Sequence, residues 1–266
     1  MNDFFQSIKI RKAVFVYLLV TISLMIISEQ PYFKKFEMLD FNFWLMINRV
    51  ILILWIIYIT FKNNIRLKPI IKDFKDKVKW SKITKIICMN FAFSISFVVL
   101  VVSLAYMISP EFFNKLLAEV SEDNNTFSSE IFTFIAAVFL APIVEEFIFR
   151  GIILNRLRMT RSTGTAIIIS SILFGLMHGE LAFLGAFVFG IIMCLVYIKT
   201  ENLMNTISIH FFNNLIAESS SFFPSTSSNV GSISKSQITI GISVGLIIFL
   251  ISGFFCLRYI KENWQK

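Results

Sequence analysis

Residues 131–154 read IFTFIAAVFLAPIVEEFIFRGIIL. The run is long enough to cross a hydrocarbon core, which takes roughly 20 helical residues. Three charged side chains, Glu145, Glu146 and Arg150, interrupt it. A charge at bilayer depth costs several kcal/mol on any scale, so such groups normally pair or serve a function. Glu146 and Arg150 are four residues apart, share a helix face and are placed to pair. Glu145 points about 100° away, towards some other partner.

The rest of the chain has the same character. Of 266 residues 56% are hydrophobic and only 16% charged, against roughly 45–50% and 25% in soluble domains. Further apolar runs fall at 13–28, 43–61, 86–109, 163–179, 182–199, 204–223 and 237–257. The expectation is an all-α polytopic membrane protein of about eight transmembrane helices. Lys9, Arg11 and Lys12 precede the first run, and Glu29-Gln30-Pro31-Tyr32 follows it with no small-residue cleavage site, so it reads as a retained anchor.

Basic residues set the orientation. Lys62, Arg66, Lys68, Lys72, Lys75, Lys77, Lys79, Lys82 and Lys85 follow the second run, Arg156, Arg158 and Arg161 the fourth, and Arg258, Lys261 and Lys266 the last. Glu111, Glu119, Glu122, Asp123 and Glu130, with only Lys115, follow the third. The reading is N-in and C-in, with Lys34 and Lys35 as the entries against it. The net charge of +8 thus fits anionic headgroups better than nucleic acid. Residues 62–85 also hold Leu67, Ile70, Ile71, Phe74 and Val78 at steps of three and four. That pattern suggests a helix on the membrane surface opened by Pro69, or else a solvated loop.

Cys88, Cys194 and Cys256 lie in spans without ligand spacing and read as buried structural thiols. Both histidines of the chain, His178 and His210, also lie in apolar runs. His210 and Asn214 share a helix face. If runs four and five turn near Arg161-Ser162, Glu145 and His178 each lie about 24 Å from the turn. By the same count Glu145 and His210 lie about 12–13 Å inside the membrane edge. Gly175 and Gly179 flank His178 and read either as room for a substrate backbone or as helix packing, while Gly241 and Gly245 read as packing.

Glu145-Glu146-x-x-x-Arg150, Phe174-x-x-x-His178 and His210-x-x-x-Asn214, in that order, resemble the three motifs of the CPBP/Abi family, which includes the type II CAAX prenyl endopeptidases. The resemblance covers about 131–223, leaving 1–130 as N-terminal helices with the basic segment 62–85, and 224–266 as a loop and final helix. It implies an intramembrane endopeptidase acting near the cytoplasmic face. Glu145 and His178 would activate a water, His210 and Asn214 would stabilise the oxyanion, and Glu146 and Arg150 would orient the site. No metal cofactor is expected, since there is no HExxH; the alternative is zinc held by Glu145, His178 and His210. Expected partners are membrane lipids and a peptide or protein substrate. The high Ile, Lys, Asn and Phe content suggests a bacterial cytoplasmic membrane and a peptide precursor, pheromone or bacteriocin as substrate. Two other classes stand beside this one. One is a non-catalytic membrane protein of bacteriocin self-immunity or regulation, binding a peptide or a sensor partner. The other is a transporter, against which the polar groups gather at one level.

Overall fold

The computed structural model describes residues 2–36, 39–109, 111, 127–219 and 235–264, and the described residues outside loops are helical. Helix α1 (Asn2–Ser7) leads into α2 (Ile10–Ser28), α3 (Phe41–Lys62), the short α4 (Leu67–Lys77) and α5 (Trp80–Ile108). The charged run is one long helix of five pieces: α6 (Phe127–Phe134), a π-helical stretch at Ile135–Leu140, α7 (Ala141–Glu146), a second π stretch at Phe147–Leu154, and α8 (Asn155–Leu157). Then come α9 (Thr163–Leu176), α10 (Phe183–Thr200), α11 (Leu203–Ser219) and α12 (Lys235–Asn263).

All eight expected helices are present, and six of them are long and apolar enough to cross a bilayer. The two shorter ones are α9 and α11. With 14 residues α9 rises only about 21 Å, so it ends inside the hydrocarbon depth rather than beyond it. His178 consequently sits in the turn after α9, not within a span. Lys115, Glu119, Glu122, Asp123, Lys266 and nearly all of the serine-rich loop 219–236 lie outside the described residues.

Local chemistry explains the helix ends. Asp40 opens α3 by accepting the Phe43 N–H at 2.8 Å, and Ser162 opens α9 by accepting the Thr165 N–H at 3.2 Å. The turn near Arg161-Ser162 thus forms as expected. Asn202 is buried and works in two directions. Its Oδ1 accepts the Met204 N–H at the start of α11, and its Nδ2 donates to Ile70 O and Asp73 Oδ2 on α4. Residues 67–77 are therefore a docked helix rather than a loop. The Lys77 side chain, and next Asn202, donate to Asp73 and hold its carboxyl below the usual aspartate range.

Burial grades the helices. Half of the most apolar window of 128–157 and 67% of that of α10 are buried, against 17% for α12. The outer faces of α2, α3 and α12 present Phe15, Met25, Tyr58, Leu250, Phe254 and Leu257 to the surroundings. Water would not tolerate that much continuous apolar surface, and lipid does. The protein is a multi-pass membrane protein wrapped around two central helices. Buried hydroxyls of Thr60, Ser171 and Ser252 return their hydrogen bonds to carbonyls one turn back, as apolar surroundings require.

Both described ends of the chain lie at the same end of the bundle. Arg156 beside the α8–α9 turn donates to Gln6 O in α1, and a Cβ at Gly164 would stand 3.1 Å from the Trp264 ring. Cys194 and Cys256 are buried, but Cys88 is exposed, on the lining of a cavity between α5 and α12. Gly175 is tight, since a Cβ there would meet the Phe183 ring at 3.1 Å, which decides for packing at that position. Gly179 has open space and φ +76, a backbone that suits glycine at the reversal before α10. Gly241 and Gly245 face Ser103 and Leu100 closely, as packing requires.

Candidate active site

Glu146 is fully buried, and its Oε1 accepts from Arg150 Nη1 at 2.9 Å, the pair expected from the four-residue spacing. Arg150 is also fully buried. It lies 4.3 Å from the centre of the Phe174 ring and reaches Gly190 O of α10 at 3.4 Å. That approach needs a small residue: a Cβ at Gly190 would stand 3.0 Å from Ser171 of α9. The ion pair thus locks the charged helix to α9 and α10.

Glu145 has a partner that sequence reasoning missed. Arg49 of α3, 96 residues away, places Nη2 3.2 Å from Glu145 Oε1, and both side chains are nearly buried. The missed signal was present, since Arg49 is itself a charge within the second apolar run. The other guanidinium nitrogen, Nη1, and the other carboxylate oxygen, Glu145 Oε2, are buried with no hydrogen-bond partner. Glu145 thus has the other partner that its direction on the helix called for, with one oxygen paired and one open.

Both histidines converge on that open oxygen. His178 Nε2 and His210 Nε2 each lie 3.9 Å from Glu145 Oε2. The far nitrogens fix the tautomers. His178 Nδ1 lies 2.7 Å from Phe174 O, which can only accept, so Nδ1 carries the proton. His210 Nδ1 lies 2.9 Å from Glu146 Oε1, a carboxylate already paired with arginine, so this Nδ1 also donates. In this tautomer the neutral form of each ring carries its lone pair on Nε2. Three acceptors thus face one another across gaps too long for a direct bond, in which a water can donate to two of them. His178 is the open member, with 31% of its side chain accessible, while His210 is buried.

The three atoms also bear on a metal. Ligands 2.0–2.2 Å from a zinc ion stand about 3.4 Å apart when tetrahedral. The observed 3.9 Å exceeds this, and among the described residues no group of three or more His, Cys, Asp or Glu is placed to hold a metal ion.

Asn214 Nδ2 donates to Ala137 O at 2.8 Å. The reason lies in the first π stretch, where each N–H bonds five residues back, as Ala141 does to Ala136 O. In that register Ala137 O would receive the N–H of residue 142, which is proline and has none. Asn214 supplies the missing donor. On the second π stretch Asn155 plays a similar part, with Nδ2 against Arg150 O, Gly151 O and Tyr197 Oη at 3.1, 2.8 and 2.9 Å.

Two buried carboxylates, one buried and one nearly buried arginine, and two imidazoles come together within the helical bundle of a polytopic membrane protein. Residues 127–216, about a third of the chain, match the family model of Type II CAAX prenyl endopeptidase Rce1-like proteins. All three sequence motifs fall within that segment, so the resemblance to the CPBP/CAAX protease family is shown for it. This supports a CAAX-type intramembrane endopeptidase in general terms, with a peptide or protein as substrate. Arg49 lies outside the matched segment. No curated protein and no solved structure matches the chain.

Proposed function

We propose that the chain is an intramembrane endopeptidase that hydrolyses a peptide bond by a water held between Glu145 and His178, inside the bundle and about one α9 length, roughly 21 Å, from the Arg156–Arg161 turn. The observation that carries this is the convergence of Glu145 Oε2 with His178 Nε2 and His210 Nε2, each 3.9 Å away, on a buried oxygen with no hydrogen-bond partner. Glu145 takes a proton as the water oxygen adds to the substrate carbonyl carbon. Developing charge on the carbonyl oxygen is met by Arg49 Nη1, a buried donor with no partner. His210 joins it only as an imidazolium, since its neutral Nε2 has no proton to give. Asn214, tied to Ala137 O, supports the helix instead. Glu145 then passes its proton to the leaving amine as the C–N bond breaks, which yields a carboxylate and an amine end. Glu146 and Arg150 orient His210 and hold the charged helix.

No step here uses a metal, and the substrate is a membrane-associated peptide or protein segment, such as a peptide precursor of a bacterial cell. The test compares peptides released by cells carrying the wild type and Glu145→Gln, which keeps the size of the side chain but cannot accept the proton. Cleavage products should appear only with the wild type while both proteins accumulate in the membrane to similar levels. A Glu145→Gln strain with unchanged products, or with a full immunity or signalling phenotype, makes the chain a binding partner and not an enzyme.

A further inference from the structure

A cavity of about 670 Å³ opens where α4 and the start of α5 meet the end of α10, the start of α11 and the end of α12. Five lysines line it, Lys77, Lys79, Lys82, Lys85 and Lys199, against the acids Asp73 and Glu262. Both acids are already committed: Asp73 pairs with Lys77, and Glu262 pairs with Arg258. Lys199 donates to Asn263 Oδ1, a neutral acceptor. Lys79, Lys82 and Lys85 make no ion pair among the described residues. Like charges in one hollow repel, so an opposite charge from outside the chain is favoured there.

A second cavity, of about 690 Å³, continues from the first along the seam between α5 and α12. The two share Lys85, Met89, Tyr259 and Glu262 as lining residues. Beyond them the second is mostly apolar, lined by Cys88, Ala92, Ile248, Ile251 and Phe255 with the hydroxyl of Ser252, while Arg258, paired with Glu262, stands at the end it shares with the first. Gly241 and Gly245 let the first part of α12 lie close against α5, and the α12 lining of the groove begins beyond them, at Ile248. A basic hollow joined to an apolar groove at a membrane-facing seam has the shape of an anionic amphiphile.

We propose that the two cavities form one site for an acidic phospholipid of the surrounding bilayer. The phosphoryl headgroup sits among Lys79, Lys82 and Lys85, and an acyl chain lies in the groove between α5 and α12. The floor of the basic hollow includes Ile209, the neighbour of His210, so the bound lipid braces the helix that carries part of the acid–base centre. The site is distinct from that centre and does not depend on how the centre works.

The test uses purified full-length protein in micelles and counts retained lipid by native mass spectrometry. The probes are phosphatidylglycerol, phosphatidylcholine with the same chains, and glycerol 3-phosphate. Each lysine near an anionic headgroup favours binding by about fivefold, so three give on the order of a hundredfold preference for phosphatidylglycerol. The triple variant Lys79→Gln/Lys82→Gln/Lys85→Gln should lose that preference. Should it fail to fold, the three single variants, each losing about fivefold, carry the same test. Ala92→Phe, which fills the groove, should weaken retention of both lipids. Equal retention of the two lipids by the wild type overturns the proposal, as does an unchanged preference in the lysine variants. Displacement of phosphatidylglycerol by stoichiometric glycerol 3-phosphate would make this a free-phosphate site and overturn it too.

Discussion

Asn214→Ala separates two roles that the motif pattern alone cannot. In the structure the Asn214 amide stands in for the N–H that Pro142 lacks and caps Ala137 O at 2.8 Å. Removing it leaves a carbonyl without a donor inside an apolar bundle, a loss of about 1–3 kcal/mol. Taking about 2 kcal/mol and the scaling of soluble domains, the unfolding midpoint falls by roughly 4–8 °C. Pro142→Ala supplies a backbone N–H. In either helical register Ala137 O then has a donor, from residue 142 if the π pattern persists and from residue 141 if the helix tightens. Asn214→Ala should therefore cost little in the Pro142→Ala background, a coupling of about 1–2 kcal/mol between residues 72 positions apart in sequence. Thermal unfolding of the four proteins of the cycle in one detergent, followed by helical circular dichroism, measures it. An oxyanion donor behaves otherwise: its loss lowers turnover about 100- to 1,000-fold and leaves stability alone. An additive cycle with that loss of turnover refutes the capping argument.

The remaining predictions concern the charges, a metal and the topology. Arg150→Met strands Glu146 as a buried charge and should lower stability by about 3–5 kcal/mol, seen as loss of folded protein on size-exclusion chromatography. Arg49→Gln, at a site with more access to solvent, should leave the protein folded but lower turnover by about 100-fold or more, the scale of one oxyanion donor, in a peptide-release assay. Protein treated with a strong chelator should retain its cleavage activity; loss that added zinc restores would make His178 and His210 ligands. Reporter fusions after Arg161 and at the C-terminus should read the same side of the membrane, and one near Asp123 the opposite side; a C-terminal reporter on the far side would mean an odd number of crossings.

Much of this protein is set by residues close together in the chain. The apolar runs could be read directly because a helix must satisfy its own backbone in lipid, whatever its neighbours do. The Glu146–Arg150 pair follows from one helical turn, and the turn at Arg161-Ser162 from a cap three residues long. Placing Glu145, His178 and His210 at one depth needed only rise per residue and the order of the runs, and their 3.9 Å approaches agree with it. What the sequence could not give is which side chain meets which across helices. Arg49 with Glu145, His210 with Glu146 and Asn214 with Ala137 join residues 96, 64 and 77 positions apart. Rotating α3 or α11 by one residue moves a side chain by about 100° and changes each partner while leaving the hydropathy pattern intact. The two π stretches shift the phase of the charged helix in the same way, and no periodicity in an almost uniformly apolar run reports them. Depth was a property of single helices and so was legible. Azimuth was decided by the packing of Gly190 on Ser171, of α3 on the charged helix, and of an asparagine that fills the gap left by a proline.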